Sequence, residues 1–455
     1  MVNELDRTPV DDAYRGTGSE PYDPIAMLKM VLFQMLRGIH SPSKWCRAAE
    51  EKNEPMLWLG RGCVPCQRVW YYFRDRANKF IESLFVEANR RAVSEGLTDA
   101  DAFAMDGTSK AALGSRHQRM NLRTLEKRQT ILRDLLQPKQ DDQPQIPKWV
   151  PTAEEGRKNL LKQMDIAHQV LKDLHSRNQC RPKSKRKDPN KIYVSVTDPE
   201  APFGLDKLKT YRFLYTVQKW IDPVSRLILG YRCTTQTNDT GMLVVCCEQH
   251  KDQYGKYPAT VFADGGYSTI ADLKFVDDHD IDLLAPTSKG GTERRVILPS
   301  GEKQIPRGEF EYDPLTDTYR CPAGQILSKQ GQSKKWREGD QDVNESRYQC
   351  GIDVCGKCPL SSRCFGGKTG RIIKRTEGED LVENQRAKMG TAEAQEAYKK
   401  RPSSIETTFG DEKWNRDHDR FHGKGQWRAV AESGLLYLAQ NLQRIYRLRQ
   451  LAPHE

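Results

Sequence analysis

The stretch Val261-Phe262-Ala263-Asp264-Gly265-Gly266-Tyr267 decides how this chain reads. Apolar residues lead up to one carboxylate, and two glycines follow at once. The pattern predicts a buried strand with Asp264 at its C-terminal tip, and glycines that let backbone or ligand come close. Open α/β sheets build their sites at strand ends of this kind. The pattern recurs upstream as Ala102-Phe103-Ala104-Met105-Asp106-Gly107-Thr108. Two carboxylates on two expected strand tips suit hard divalent cations such as Mg²⁺ or Mn²⁺, which prefer carboxylate oxygens and keep several waters.

Around these strands the chain alternates. Tyr211 to Lys219 and Arg226 to Thr235 read as paired strands, with Ile221-Asp222-Pro223-Val224-Ser225 as the turn. A helix is expected over 240–250, a strand over 259–263 ending at Asp264, and another over 281–285. That order is a mixed α/β sheet. Upstream, Asp23-Pro24 has the N-cap and first-turn proline of a helix start. Residues 1–97 are expected to form a helical N-terminal domain that binds DNA or dimerises. Its segment Val69-Trp70-Tyr71-Tyr72-Phe73-Arg74-Asp75-Arg76 begins a helix running toward Ala92 that reads either as a DNA contact or as core with solvated arginines. The catalytic core is expected over 98–288, with a helical insertion at about 116–190, and again over 376–455. A long closing helix should bury Trp427, Val430, Leu435, Leu438, Leu442 and Ile445. Residues 289–375, rich in Gly, Lys and Cys, read as an inserted module.

The chain has 455 residues and a net charge of +11. Its mean hydropathy of −0.77 and pI of about 9.0 describe a polar, basic protein. Such a charge serves solubility, and it also fits a polyanionic partner, nucleic acid first. The loop Arg181-Pro182-Lys183-Ser184-Lys185-Arg186-Lys187 concentrates it, so Lys185, Arg186 and Lys187 are candidate phosphate contacts. The N-terminus shows no signal pattern, and no apolar run approaches the roughly 20 residues needed to span a bilayer. The expectation is a cytoplasmic, nucleoid-associated protein whose twelve cysteines do not form a disulfide framework.

A two-metal site for phosphodiester chemistry needs a third acid from a neighbouring helix. Glu406 is the candidate. Lys413 lies two helical turns beyond it, on the same face, and Phe409 could anchor that face. Arg401 and Lys413 then place positive charge on either side of the carboxylate, which suits a phosphate backbone. Asp198 and Asp239 compete as acids, but each reads as a cap: Asp198 of a turn, Asp239 of the following helix. Each acid taken alone also has an ordinary reading, as a turn cap or a helix-surface pair.

Taken together, these residues resemble the DDE transposases of bacterial insertion sequences. Asp106-Gly107-Thr108 is similar to their first catalytic motif and Asp264-Gly265-Gly266-Tyr267 to their second. Tyr398, Arg401, Glu406, Phe409-Gly410 and Lys413 resemble the third, a Tyr, Arg, Glu and Lys signature along one helix, although Arg401 stands one residue further from Glu406 than in the best-known relatives. The helical region from Asp23-Pro24 to Arg76 resembles their N-terminal domain. The resemblance implies an RNase H-like core, with Asp106, Asp264 and Glu406 as a catalytic triad binding Mg²⁺ or Mn²⁺. It implies cleavage at transposon ends and joining of the 3′-hydroxyl to target DNA, with Arg401 and Lys413 on DNA phosphates and at least a dimer on DNA. A catalytically silent DNA-binding protein, or an RNase H-like nuclease without strand transfer, are the alternatives.

Five of the cysteines fall between Cys321 and Cys364. Cys355-Gly356-Lys357-Cys358 has the spacing that offers two thiolates to one tetrahedral Zn²⁺. Cys321 and Cys364 complete an expected structural zinc site, with Cys350 as a fifth candidate, and transposases of the kind the chain resembles include a group with such an insertion before the catalytic Glu. Cys63-Val64-Pro65-Cys66 has the same spacing but no second pair nearby.

Overall fold

The computed structural model describes residues 1–15, 22–137, 146–206, 208–287, 297–299, 301–338, 341–367, 369–399 and 401–451. It divides into two units, residues 1–260 with 400–455, and residues 261–399.

In the first unit, helix α1 (Pro24–Leu36) starts as its caps dictate: the Asp23 carboxylate accepts the Ile25 N–H at 3.0 Å. The aromatic and basic segment forms two helices, α2 (Gln67–Ala77) and α3 (Ile81–Ser94), instead of one running through to Ala92. The chain breaks at Asn78 so that Phe80 can turn inward against Phe73, ring centroids 6.0 Å apart. The core reading of the segment holds in part, although Arg74 is buried and not solvated. Trp70 and Phe73 are buried, while Tyr71 and Tyr72 are exposed beneath the guanidinium groups of Arg74, Arg68 and Arg76.

The sheet of this unit is built on β1 (Ala102–Ala111), which pairs antiparallel with β2 (Tyr211–Ile221); β2 pairs with β3 (Ile228–Thr234). Gly230 faces Trp220 across this pair, and a β-carbon there would stand 2.0 Å from the indole, so only glycine leaves room for the fully buried ring. Helix α4 (Met242–Tyr254) follows, and strand β4 (Thr260–Phe262) begins on the last residue of the unit, where Ala259 and Thr260 donate to the Asp101 carbonyl. The insertion is a pair of antiparallel helices, Leu122–Leu136 and Glu154–Gln179. They enclose a small core of their own in which Leu125, Leu132, Met164, Ala167 and Leu171 are buried.

The closing helix α5 (Gln426–Leu451) packs against α1, α2, α3 and β3 together. Leu435, Leu438, Leu442 and Ile445 are buried as the pattern predicts, but Trp427 is exposed and lies under the Arg428 guanidinium. Arg428 itself is held by Asp75 of α2 in a two-pronged pair at 2.8 Å, which turns the indole outward. The helix ties N- and C-terminal sequence into one body. Asn441 donates to Asn89 of α3 and to the Ile228 carbonyl of β3.

In the second unit β4 runs beside β5 (Asp282–Leu284), with the Ala263 N–H on the Leu284 carbonyl. In chain order the elements run as an antiparallel trio, then helix, strand, helix and strand, which is the expected mixed α/β order. The inserted module is more regular than its sequence suggests. It is a five-stranded antiparallel sheet of Ile372–Thr376, Gln341–Gln349, Ile326–Glu338, Thr318–Arg320 and Glu311–Asp313, in that spatial order. Its strands carry many polar residues and few apolar ones, and they share one small core of Ile305, Phe310, Tyr319, Leu327, Tyr348 and Ile373, so period-2 alternation is faint.

Candidate active site

Asp106 is not at a strand tip. β1 continues five residues beyond it, because Gly107 to Ala111 go on pairing with Leu214 to Gln218. Gly107 reads as a stop in sequence, yet its role is close packing: a β-carbon there would meet the Asp239 Oδ1 at 2.5 Å and the Gln218 amide at 2.7 Å. Asp239 takes a hydrogen bond from that amide at 2.7 Å. It does not cap α4 through its side chain, since the N-cap there is Gly241. Successive strand residues face opposite ways, so Asp239, over Gly107, lies on the other face of the sheet from Asp106. Asp198 is buried and accepts from Tyr215 at 2.7 Å and from the Gly425 N–H at 3.2 Å; burial, against these bonds, raises its carboxyl. Neither acid joins the site.

On the face of Asp106 lies a helix that is wider than α over part of its length. Pro402–Glu406 is π-helical, Thr407–Gly410 α-helical, and Asp411–Asn415 π-helical again. The i→i+5 bonding of a π turn stacks residues five apart. This is the physical answer to the long spacing between Arg401 and Glu406. The buried Arg401 reaches both acids, with Nη2 3.3 Å from the Asp106 Oδ2 and Nη1 3.8 Å from the Glu406 Oε1. Its Nε is buried with no hydrogen-bond partner. The second π turn works likewise: the Arg416 N–H donates to the Asp411 carbonyl at 3.0 Å, and its Nε to the Asp411 carboxylate at 2.6 Å. Lys413 is half-buried on the same helical run.

Thus Asp106, Arg401 and Glu406 come together within the first unit. Asp264 and Tyr398 belong to the second. Asp264 ends β4 as expected and caps the turn Gly265–Tyr267, accepting from the Gly266 N–H at 2.7 Å, with Tyr267 buried beyond it. Lys185, Arg186 and Lys187 sit in an exposed loop that Asn178 clips, donating to the Lys187 carbonyl and accepting its N–H.

Two family models match the chain: a transposase DDE domain over residues 320–446 and a transposase domain (DUF772) over residues 2–76. The chain belongs to the DDE transposases. Among solved structures, a piggyBac transposase synaptic complex with hairpin DNA aligns with 99% of this chain and 76% of that one, at 9% identity and a TM-score of 0.30. No curated protein matches. Among the described residues, no helix of this transposase is long and apolar enough to cross a membrane.

The transposase also holds a buried charge cluster that motif reading passes over. Glu412, one residue before Lys413, is fully buried. Its carboxylate binds Lys110 of β1, Lys219 of β2 at 3.0 Å and the Tyr437 hydroxyl of α5 at 2.8 Å. Lys110 also meets the His418 Nδ1 at 2.9 Å. Burial pushes the Glu412 carboxyl up, but the two lysine charges outweigh it and hold the group well below its ordinary value. Burial, with Lys110 adding to it, keeps His418 neutral. Lys219 is the cross-strand partner of Asp106, and Lys110 lies four residues along β1 on the same face. The cluster therefore bolts the helix of Glu406 onto the two strands beside Asp106. Its trace in sequence is slight, one lysine in each of two strands that carry other polar residues as well.

The module cysteines converge. Cys321, Cys350, Cys355, Cys358 and Cys364 all line one cavity of about 30 Å³ floored by Phe310 and Leu327. Burial pushes the Cys364 thiol up to about 11 and raises that of Cys355. Among the described residues, no group of three or more His, Cys, Asp or Glu is gathered at metal-ligand spacing. The five thiols have the right donor chemistry for zinc and share one space, at wider spacing than a bound ion requires. Cys63 and Cys66 are exposed at the start of α2.

Proposed function

We propose that this transposase cuts DNA at insertion-sequence ends and joins the freed 3′-hydroxyl to target DNA, with Asp106, Asp264 and Glu406 as its acids. The observation that carries the reading is the convergence of Asp106 and Glu406 on Arg401 across a π turn. Asp264 enters on its motif and its place at the end of β4. Carboxylate oxygens are the donors Mg²⁺ and Mn²⁺ select, and the orphaned Arg401 Nε beside them leaves a donor for a phosphate oxygen. Bound divalent ions would supply activation of the attacking oxygen and stabilisation of the leaving one in an in-line displacement.

The chain's own groups do the rest. Arg401, buried and flat, orients the two carboxylates and offers its free edge to the scissile phosphate, a geometry suited to guanidinium. Lys413 lies further along the helix as a phosphate contact. Lys185, Arg186 and Lys187, and the exposed Arg68, Tyr71 and Tyr72 of α2, are further contacts for DNA. In the cysteine module Cys321, Cys355, Cys358 and Cys364, with Cys350 as a fifth candidate, would hold one Zn²⁺ in a structural role. At least a dimer assembles on paired ends.

The test is incubation with Mg²⁺ or Mn²⁺, labelled element ends and a target plasmid. Joined products are expected, and their loss in Asp106→Asn, Asp264→Asn and Glu406→Gln. Cleavage without joining would assign a nuclease, and DNA binding with neither would assign a silent binder. Zinc well below half an equivalent in purified protein would refute the metal in the module.

A further inference from the structure

β1 leads away from Asp106 to a second feature. Where it ends, Ala111 to Ser115 form the floor of an open cavity of about 460 Å³, walled by Arg116, Arg212 and Arg420. The floor is small and rigid. The Ala111 N–H donates to the Asp419 carbonyl at 3.0 Å and its carbonyl accepts the Phe421 N–H at 2.8 Å, so Arg420 is fixed beside the strand end. Phe421 is buried against Tyr215. Gly114 has Ser195 3.2 Å from where a β-carbon would stand, which keeps the floor flat. Among the described residues one carboxylate is paired with the walls, Asp206 with the Arg212 Nε at 2.9 Å. Three guanidinium groups against one carboxylate leave the cavity positive.

We infer that this cavity is a phosphate-binding site for the backbone of one DNA strand, separate from the catalytic acids. The inference rests on the DNA-processing reading and adds to it a place. Five residues of β-strand span about 17 Å. At roughly 3.4 Å per nucleotide of a duplex strand, the cavity grips backbone about five nucleotides from the scissile phosphate. Small floor residues admit the sugar-phosphate chain, and arginines at three angles take two adjacent phosphates in forked contacts. The same chemistry serves strand from the element end or from the target.

The experiment measures binding of the full chain, without divalent ion, to two labelled 30-base-pair duplexes, one carrying the element end and one unrelated. Salt is varied from 50 to 200 mM. Arg116→Ala/Arg420→Ala should weaken binding about tenfold at the higher salt and flatten the slope of log affinity against log salt by about 1 to 2, at roughly 0.9 per phosphate lost. Loss with the element duplex alone assigns the cavity to the end strand, loss with the unrelated duplex alone assigns it to target, and loss with both assigns it to either. Arg116→Lys/Arg420→Lys should restore the slope. An unchanged affinity and slope with both duplexes overturns the inference, and so does a flattened slope that the lysine pair fails to restore. The catalytic reading stands or falls separately, on cleavage by the triad variants.

Discussion

Glu406 and Glu412 stand six residues apart on one helical run and live in opposite surroundings. The Glu406 side chain is 61% exposed and has a single long ion pair to Arg401. The Glu412 side chain is wholly buried, with two lysines and a tyrosine on its oxygens. A carboxylate left open to solvent can exchange water for a metal or a phosphate-bound ion. One whose oxygens are already bound by protein can only hold the structure in place. The helix thus separates chemistry from anchorage, and the two roles should come apart under mutation.

The strongest test is Glu406→Gln. Strand cleavage should fall by about 10³ or more, on the order of 4 kcal/mol of transition-state stabilisation, while thermal melting stays within about 0.5 kcal/mol, as for an exposed site. A loss of fold instead would erase the contrast. Glu412→Gln should do the reverse, costing about 3–5 kcal/mol in denaturant unfolding because two lysines are left buried without their partner. Replacing the cluster with Lys110→Met, Lys219→Met and Glu412→Leu should recover most of that loss. If it restores stability but not cleavage, the cluster also sets the position of Glu406.

Glu432 sharpens the comparison as a third kind of acid, buried, with the His422 N–H on its carboxylate at 2.8 Å and the His422 ring 3.9 Å away. Burial pushes its carboxyl up from 4.5 to about 7. Between those values the native chain holds a proton that the unfolded chain has released. Stability should therefore fall as pH rises across that window, and level off above it. Glu432→Gln should flatten this slope and raise stability at pH 8 by up to about 3 kcal/mol, read from denaturant midpoints at several pH values. The smallest expected effect is Gly230→Ala, about 1–3 kcal/mol by overpacking against Trp220, with cleavage per folded molecule unchanged.

Much of this was legible before any coordinates. The helix cap at Asp23, the hairpin turn at Asp222-Pro223, the strand before Asp264 and the stripe of α5 follow from local chemistry. Asp106 was legible as an acid but not as mid-strand, because Gly107 has two readings, a stop and a close approach, and only its cross-strand neighbours decide between them. Glu412 was illegible. Its partners are 302 and 193 residues away in sequence, and a Glu beside a Lys reads as surface. Trp427 was misplaced because the pull of Asp75 on Arg428 is invisible in a helical stripe. The module's sheet was hidden by strands with few apolar residues to mark their period.

The π turn before Glu406 has a wider consequence. Each residue of an α-helix rotates the chain by about 100°, so the extra residue between Arg401 and Glu406, the fourth, would swing the acid away from its partner in a plain α-helix. The wider coil takes up that surplus and returns Glu406 to the side of Asp106. What this helix preserves is an angle, and a motif search that insists on a fixed count of residues would pass over a site whose geometry is intact.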